Sequence, residues 1–239
     1  MRLARGSAIG SHIGREVHAG GTALGQHLHV QDPASTFVTL YAAFPAGAHV
    51  ADVCAAPGGK ALELARTAGA VYAGDRSPAR LARVRANLER LGAGNVFPYA
   101  ADVLDAPLRP VDGVLVDAPC TGTGTFRRHP DARWRLKPSD VAVMSLAQRE
   151  ILRAGAALVR PGGLLVYSTC SIEDEENDGV VDRFLAEQGG EWALEPPPLG
   201  TVPDAVLDRG RLRVLPQRHG VDGSFAARLR RRGPAEAAA

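Results

Sequence analysis

Two of the three cysteines in the chain, Cys120 and Cys170, each follow a run that reads as a buried β-strand, Val114-Leu115-Val116-Asp117 and Leu164-Leu165-Val166-Tyr167-Ser168-Thr169. At the carboxyl ends of neighbouring parallel strands, two thiols meet in the crevice where open α/β sheets bind their ligands. An acid beside a thiol, in Asp117-Ala118-Pro119-Cys120, with a second thiol one strand further on, suits a reaction that forms and then breaks a covalent bond to carbon. Free cysteine is also among the most buried residue types, so the thiols alone fit a packing role equally well. The flanking sequence decides between the two.

The third cysteine lies in Asp52-Val53-Cys54-Ala55-Ala56-Pro57-Gly58-Gly59-Lys60, a stretch between a strand and a helix. Small residues let backbone approach a ligand closely, and a helix N-terminus offers free N–H groups, so a nucleotide-like ligand is implied. The stretch is not a phosphate-binding P-loop, because Ala61 stands where Ser or Thr is needed and Cys54 where the first glycine is needed. The dinucleotide fingerprint G-x-G-x-x-G is absent too. Asp75, ending the next strand, suits a pair of ribose hydroxyls, and Asp102, ending the third, is placed to reach an adenine amino group. Four strand-end aspartates, Asp52, Asp75, Asp102 and Asp117, are therefore expected around one crevice.

Charge is unevenly distributed although the net charge is only +2. Arg127, Arg128, His129, Arg133, Arg135 and Lys137 cluster just beyond Cys120 with Trp134 among them, a pattern that suits a phosphate backbone. A second run, Arg209, Arg211, Arg213, Arg218, Arg228, Arg230, Arg231 and Arg232, reads as a solvated face.

These residues need a scaffold, and the hydrophobic pattern supplies one. A helix is predicted from Pro33 to Phe44. Strands are predicted over His49–Cys54, Val71–Asp75, Val96–Asp102, Gly113–Ala118, Leu164–Thr169 and Phe225–Leu229, with helices over Lys60–Thr67, Pro78–Leu91 and Ser139–Val159. Such alternation means an α/β, doubly wound, mostly parallel sheet. Gly162-Gly163 is expected to end the long helix, and Ser171-Ile172-Glu173-Asp174 to cap a helix reaching Phe184, which would give the acidic run Glu173–Asp178 a helix-dipole role. Residues 1–33 read as an N-terminal extension, 34–233 as the catalytic domain and 234–239 as a disordered tail.

With 239 residues, 45% hydrophobic and 23% charged, the chain can bury a single core. No apolar run approaches the roughly 18 residues of a membrane helix, and the N-terminus lacks a secretory signal pattern. Three cysteines make no disulfide framework, so a reducing cytoplasm is the expected compartment, and a monomer is expected as well. The scattered His12, His18, His27, His29 and His49 lack metal-ligand spacing, and no metal is expected.

The segments Asp52–Lys60, Asp117–Gly124 with Phe126-Arg127-Arg128-His129-Pro130-Asp131-Ala132-Arg133-Trp134, and Tyr167–Asn177 resemble the signature blocks of the RsmB/Sun (Fmu) family of RNA cytosine-5 methyltransferases. The likeness runs from about Val30 to Arg230 and includes Leu215 to Phe225. It implies a Rossmann-like class I methyltransferase fold with an antiparallel C-terminal strand. It also implies that S-adenosylmethionine is held by Cys54, Ala55, Ala56, Pro57, Gly58, Gly59, Lys60, Asp75, Asp102 and Asp117, with Cys170 as nucleophile and Cys120 assisting release. DNA cytosine-5 methyltransferases use the Pro-Cys thiol as nucleophile instead, so the presence of both blocks points to RNA. Small-molecule and amino-group methyltransferases typically carry Asn/Asp-Pro-Pro-aromatic where this chain has Asp117-Ala118-Pro119-Cys120. The wording of Arg127 to Asp131 is similar to the branch acting on small-subunit (16S) ribosomal RNA. Transfer RNA as substrate, or an idle RNA-binding or ribosome assembly factor, are the alternatives. Relatives acting on ribosomal RNA commonly carry an N-terminal RNA-binding domain, where this chain has only a short stretch before its first block.

The implied chemistry fits the residue types. Carbon 5 of cytosine is a weak nucleophile until a thiolate adds at carbon 6, the task for Cys170, which Lys60 or backbone dipoles would activate. Charge developing on the ring needs protonated Asp117, Lys60 or backbone N–H groups. The target base must also leave its stack.

Overall fold

A computed structural model describes residues 29–233. Most of the expected N-terminal extension, with His12, His18 and His27, and the expected tail 234–239 lie outside the described residues.

Helix α1 (Pro33–Ala42) starts where Pro33 presets the backbone and the Asp32 carboxylate accepts the Ala34 N–H at 2.9 Å. It stops at Ala43, which turns left-handed at φ 41°, short of the expected Phe44. The alternation then unfolds as predicted: β1 (His49–Asp52), α2 (Gly59–Leu64), β2 (Ala70–Asp75), α3 (Pro78–Leu91), β3 (Val96–Ala100), β4 (Val111–Asp117), a short α4 (Ala132–Arg135), α5 (Pro138–Ala157), β5 (Val159–Thr169) and α6 (Asp178–Glu187). Three strands without a readable period, β6 (Trp192–Leu194), β7 (Leu207–Asp208) and β8 (Arg211–Val214), then α7 (Pro216–His219), precede β9 (Ser224–Arg231).

The strands form one sheet in the order β3-β2-β1-β4-β5-β9-β8-β7, with β6 also paired to β9. The pairs from β3 to β5 are parallel, and β9 lies antiparallel to β5. The fold is thus the expected α/β Rossmann-like, mostly parallel sheet with an antiparallel C-terminal strand. Chain direction across the sheet reverses between β1 and β4, which opens a crevice at their carboxyl ends.

Period-two alternation splits the core into two layers. Leu115 and Val166 face one layer with Phe37, Tyr41, Leu81 and Val84 of α1 and α3. Their neighbours Val114, Val116, Leu165 and Tyr167 face the other, with Leu152 of α5 and Phe184 of α6. Each fully buried aliphatic or aromatic side chain contributes about 1.5–3 kcal/mol, so both faces of the sheet are held by apolar burial.

Two local expectations are corrected. Helix α5 ends at Ala157, and Gly162 (φ 74°) lies inside β5, where the pairing with β4 shifts register between Val111 and Gly113. The glycines accommodate a bulge in the strand, with the helix already finished. Ser171 caps no helix: its hydroxyl accepts the Glu173 N–H at 3.1 Å in a turn, and α6 begins only at Asp178. Among the described residues, no helix is long and apolar enough to cross a membrane.

Candidate active site

The loop from β1 to α2 is shaped by two constraints. Gly58 adopts φ 106° as it enters α2, and a Cβ there would press on Val84 of α3 at 3.3 Å. Arg80, in the first turn of α3, donates to the Ala56 carbonyl at 2.8 Å and pairs with Asp75 at 3.2 Å. Asp75 also accepts the Ser77 N–H at 2.9 Å, so its carboxylate is fixed in direction while keeping spare lone pairs. Arg80 carries no sequence signal, because α3 holds several arginines and only the packing distinguishes one of them.

A cavity of about 340 Å³ opens beside this loop, within the range of small-molecule sites. Cys54, Ala56, Asp75 and Asp102 line one end, Asp117, Cys120 and Cys170 the other, and Val103, Leu104 and Ile151 supply apolar walls. Ala55, Pro57, Gly58, Gly59 and Lys60 do not line it. They form the loop and helix start behind its wall. Asp102 is partly committed, since it accepts the Leu104 N–H at 3.1 Å.

Of the four aspartates expected around the crevice, Asp52 does not line the cavity. It is buried beneath, and neither oxygen has a hydrogen-bond partner. Burial first, then the charge of Asp117, push its carboxyl up to about 7, and Lys60 only partly offsets them. Burial likewise pushes the Cys54 thiol up, so Cys54 is an inert wall residue.

Cys120 and Cys170 meet as the strands predict, with their sulfurs 3.2 Å apart. The two thiols are not equivalent. The hydrogen bond from Cys120 lowers the Cys170 thiol, burial and Asp117 oppose this, and the Lys60 ammonium adds to the lowering. Cys120 is raised by donating that hydrogen bond, by burial, and by the charges of Cys170 and Glu176. Of the two, Cys170 is the more readily ionised. Lys60 Nζ sits 2.8 Å from Asp117 Oδ2, and Ser168 donates to Oδ1 at 2.8 Å. Both oxygens of Asp117 are thus engaged, one by Lys60 and one by Ser168. Asp117 more than offsets the cost of burying Lys60, so its ammonium stays charged.

The loops carrying the thiols are clamped together. Glu176, fully buried, accepts the Thr121 N–H at 2.9 Å, the Thr121 hydroxyl, and the Gln148 amide of α5 at 2.9 Å. Asn177 accepts the Thr169 hydroxyl at 2.6 Å and donates to the Ser171 carbonyl at 3.0 Å. Gly124 donates to the Cys170 carbonyl at 2.9 Å, and a Cβ on it would strike that oxygen at 2.6 Å. The acidic run is therefore no dipole decoration. Glu176 positions the Cys120 loop, while Asp174 and Asp178 pair with Arg213. A lone buried glutamate within an acidic run gave no signal for this.

The two basic runs part company. Arg127 reaches Asp32 at 3.2 Å and Asp222 at 3.3 Å, Arg128 pairs with Asp222, and Arg135 pairs with Asp131. Arg133 and His129 are exposed and, among the described residues, have no ion pair. The C-terminal run is a solvated face only in part: Arg209, Arg218 and Arg232 are exposed, and the others are engaged. Arg211 and Arg213 share Asp178, Arg230 reaches Glu195 at 2.7 Å, and Arg231 reaches Glu191 at 2.7 Å. Arg228, 4% exposed, pairs with Glu195 and donates to the Ala42 carbonyl at 3.0 Å. Hydrogen bonds from Arg230, then from Arg228, pull the Glu195 carboxyl down to about 2.

Residues 42–230 match the family described as "16S rRNA methyltransferase RsmB/F". The chain is 39% identical over 191 residues to the "Probable ribosomal RNA small subunit methyltransferase B" of Synechocystis sp., covering 75% of this chain and 42% of the relative. It is 37% identical over 230 residues to the "Ribosomal RNA small subunit methyltransferase B" of Thermus thermophilus, covering 96% and 56%. The chain thus spans about half the length of the curated relatives it matches. Among solved structures it is similar to NSun6 from Pyrococcus horikoshii with SFG, with TM-score 0.76, 29% identity, and coverage of 90% of this chain and 56% of that one.

Proposed function

The chain belongs to the RsmB/F family of 16S rRNA methyltransferases, and from that premise we propose that it uses S-adenosylmethionine to form 5-methylcytosine in small-subunit ribosomal RNA. The observation that carries this reading is the single cavity that joins three strand-end aspartates to two adjoining thiols. The solved NSun6 structure with SFG, an S-adenosylmethionine analogue, points the same way.

The residues present fit the cofactor. Asp75 is 2% exposed as a residue yet lines the cavity with lone pairs to spare, as a ribose diol requires. The excess of carboxylates suits a ligand carrying a sulfonium and an ammonium, and Val103, Leu104 and Ile151 offer an apolar slot for a base. When bound, S-adenosylmethionine supplies an electrophilic methyl group. The chain's own residues do the rest.

Cys170 adds as thiolate to carbon 6 of the cytosine, which places electron density on carbon 5 and makes it the nucleophile. Lys60, held by Asp117 at 2.8 Å, favours the Cys170 thiolate by its charge and supports negative charge developing on the ring. After carbon 5 is methylated it still bears its proton. Loss of that proton expels Cys170 and restores the double bond. Cys120, at 3.2 Å, assists this elimination by giving its proton to the departing Cys170 sulfur, and its own sulfur then takes the carbon-5 proton, which restores the Cys120 thiol. The base must reach the thiols unstacked, so its target is a loop or an opened helix.

Incubating the chain with S-adenosylmethionine and small-subunit ribosomal RNA, followed by bisulfite sequencing, is expected to reveal one protected cytosine. Methylation found on adenine or guanine, or on no RNA, would overturn the reading. Transfer RNA modified in preference to ribosomal RNA would redirect the substrate and keep the chemistry.

A further inference from the structure

The chain has two tryptophans, and they are treated in opposite ways. Trp192 is 5% exposed and packs edge-on against Phe184 at 5.6 Å between ring centroids. Trp134 is 85% exposed, and α4, which carries it, buries none of its residues. Nothing in the fold is held by this indole, although a free aromatic face is costly to leave in water.

Its position gives the exposure a meaning. Gly124 is hydrogen-bonded to the Cys170 carbonyl. From there the chain advances in tight turns, Arg128 N–H to Thr125, Ala132 N–H to His129 and Trp134 N–H to Asp131, which keeps Trp134 within about 15–20 Å of the thiols. On its other side begins α5, where Val143, Leu146, Ala147 and Glu150 share one face by helical spacing. Ala147 and Glu150 line the cavity, while Val143 and Leu146 are exposed, so an open apolar strip leads from the cavity rim towards the Trp134 end of α5. Arg133, beside Trp134, has no ion pair among the described residues. An exposed indole next to a free cation is the pairing that binds single-stranded nucleic acid: the ring stacks on a base and the cation meets the phosphate.

We propose that Trp134 is a stacking platform for an unpaired base of the RNA strand, a few nucleotides from the base held at Cys170. This rests on the RNA reading of the site. It adds a contact that is indifferent to base identity and to salt, distinct from the arginine contacts around it. Arg127 and Arg128, tied to Asp222, hold the segment in place.

The test uses the full chain with Trp192→Phe, so that Trp134 alone emits, titrated with an unstructured oligoribonucleotide of about 12 nucleotides. The oligonucleotide is expected to quench Trp134. In the otherwise unaltered chain, Trp134→Ala should weaken binding by roughly 5- to 100-fold and Trp134→Phe by much less. The slope of log affinity against log salt should stay unchanged in Trp134→Ala, whereas Arg133→Ala lowers it by about 0.7. RNA affinity in Trp134→Ala within twofold of the parent, or no quenching, would overturn the stacking role and leave the proposed function standing. That result is also the one expected if the indole docks a protein. Absence of any RNA binding by the parent chain overturns both.

Discussion

The ends of β4 and β5 look alike: two adjacent parallel strands, each running through a hydroxyl or carboxyl residue into a loop that bears a cysteine. Their surroundings differ. Cys170 is exposed and feels the Lys60 charge, which lowers its thiol. The Cys120 loop is pinned by Glu176, whose negative charge disfavours a second thiolate. Chemically identical side chains 3.2 Å apart are thus given unequal tendencies to ionise by where one lysine and one glutamate lie, and the proposed division into nucleophile and partner rests on that difference.

The harshest trial of that division is to remove each thiol. Cys170→Ala is expected to reduce methylation to background and to abolish any covalent RNA adduct, with cofactor affinity retained. Cys120→Ala should still attack, so a protein–RNA band that survives denaturing electrophoresis accumulates, and the double variant should show none. An adduct that persists in Cys170→Ala and vanishes in Cys120→Ala would exchange the two roles.

Removing the lysine is gentler. Lys60→Met leaves Asp117 without its cation, so the pH midpoint for alkylation of Cys170 should rise, as followed by mass spectrometry after iodoacetamide treatment. A midpoint that does not move would show that the Cys120 hydrogen bond alone sets the thiolate.

The glutamate separates position from charge. Glu176→Ala strands the Thr121 N–H and the Gln148 amide, at a cost of about 2–3 kcal/mol in urea unfolding. Glu176→Gln keeps the volume and drops the charge, and should lower the alkylation midpoint of Cys120 more than that of Cys170. Equal movement of both would mean that the pair responds as one unit.

The smallest effect on the chemistry is expected below the site. Asp52, with its carboxyl raised to about 7, keeps its proton in the folded state over a range where the unfolded chain has lost it. Its contribution to stability is full below about pH 4 and declines as pH rises to about 7. Asp52→Asn should flatten that decline, by no more than a few kcal/mol, and leave the alkylation behaviour of Cys120 nearly unchanged. A pH–stability curve identical to the parent's would remove Asp52 as a titrating group.

Apolar alternation and glycine placement determined the alternating strands and helices, the mostly parallel sheet and the meeting of Cys120 with Cys170. Period-two patterns and helix caps are local, and parallel topology leaves adjoining strand ends no other place. What only the tertiary structure decided is which charges are spent. Asp52 reads like Asp75 in sequence, but burial without a partner takes it off the cavity. Both basic runs read as exposed charge, yet Arg228 and Arg211 are consumed by Glu195, Asp178 and Asp182, and Arg127 and Arg128 by Asp222. Glu176 reads as one acid among several and proves to be the clamp on a thiol loop. Hydrophobic burial follows a periodic pattern carried by neighbouring residues. A charge depends on the particular group that the fold brings opposite it, often from a distant part of the chain, and no local pattern records that partner.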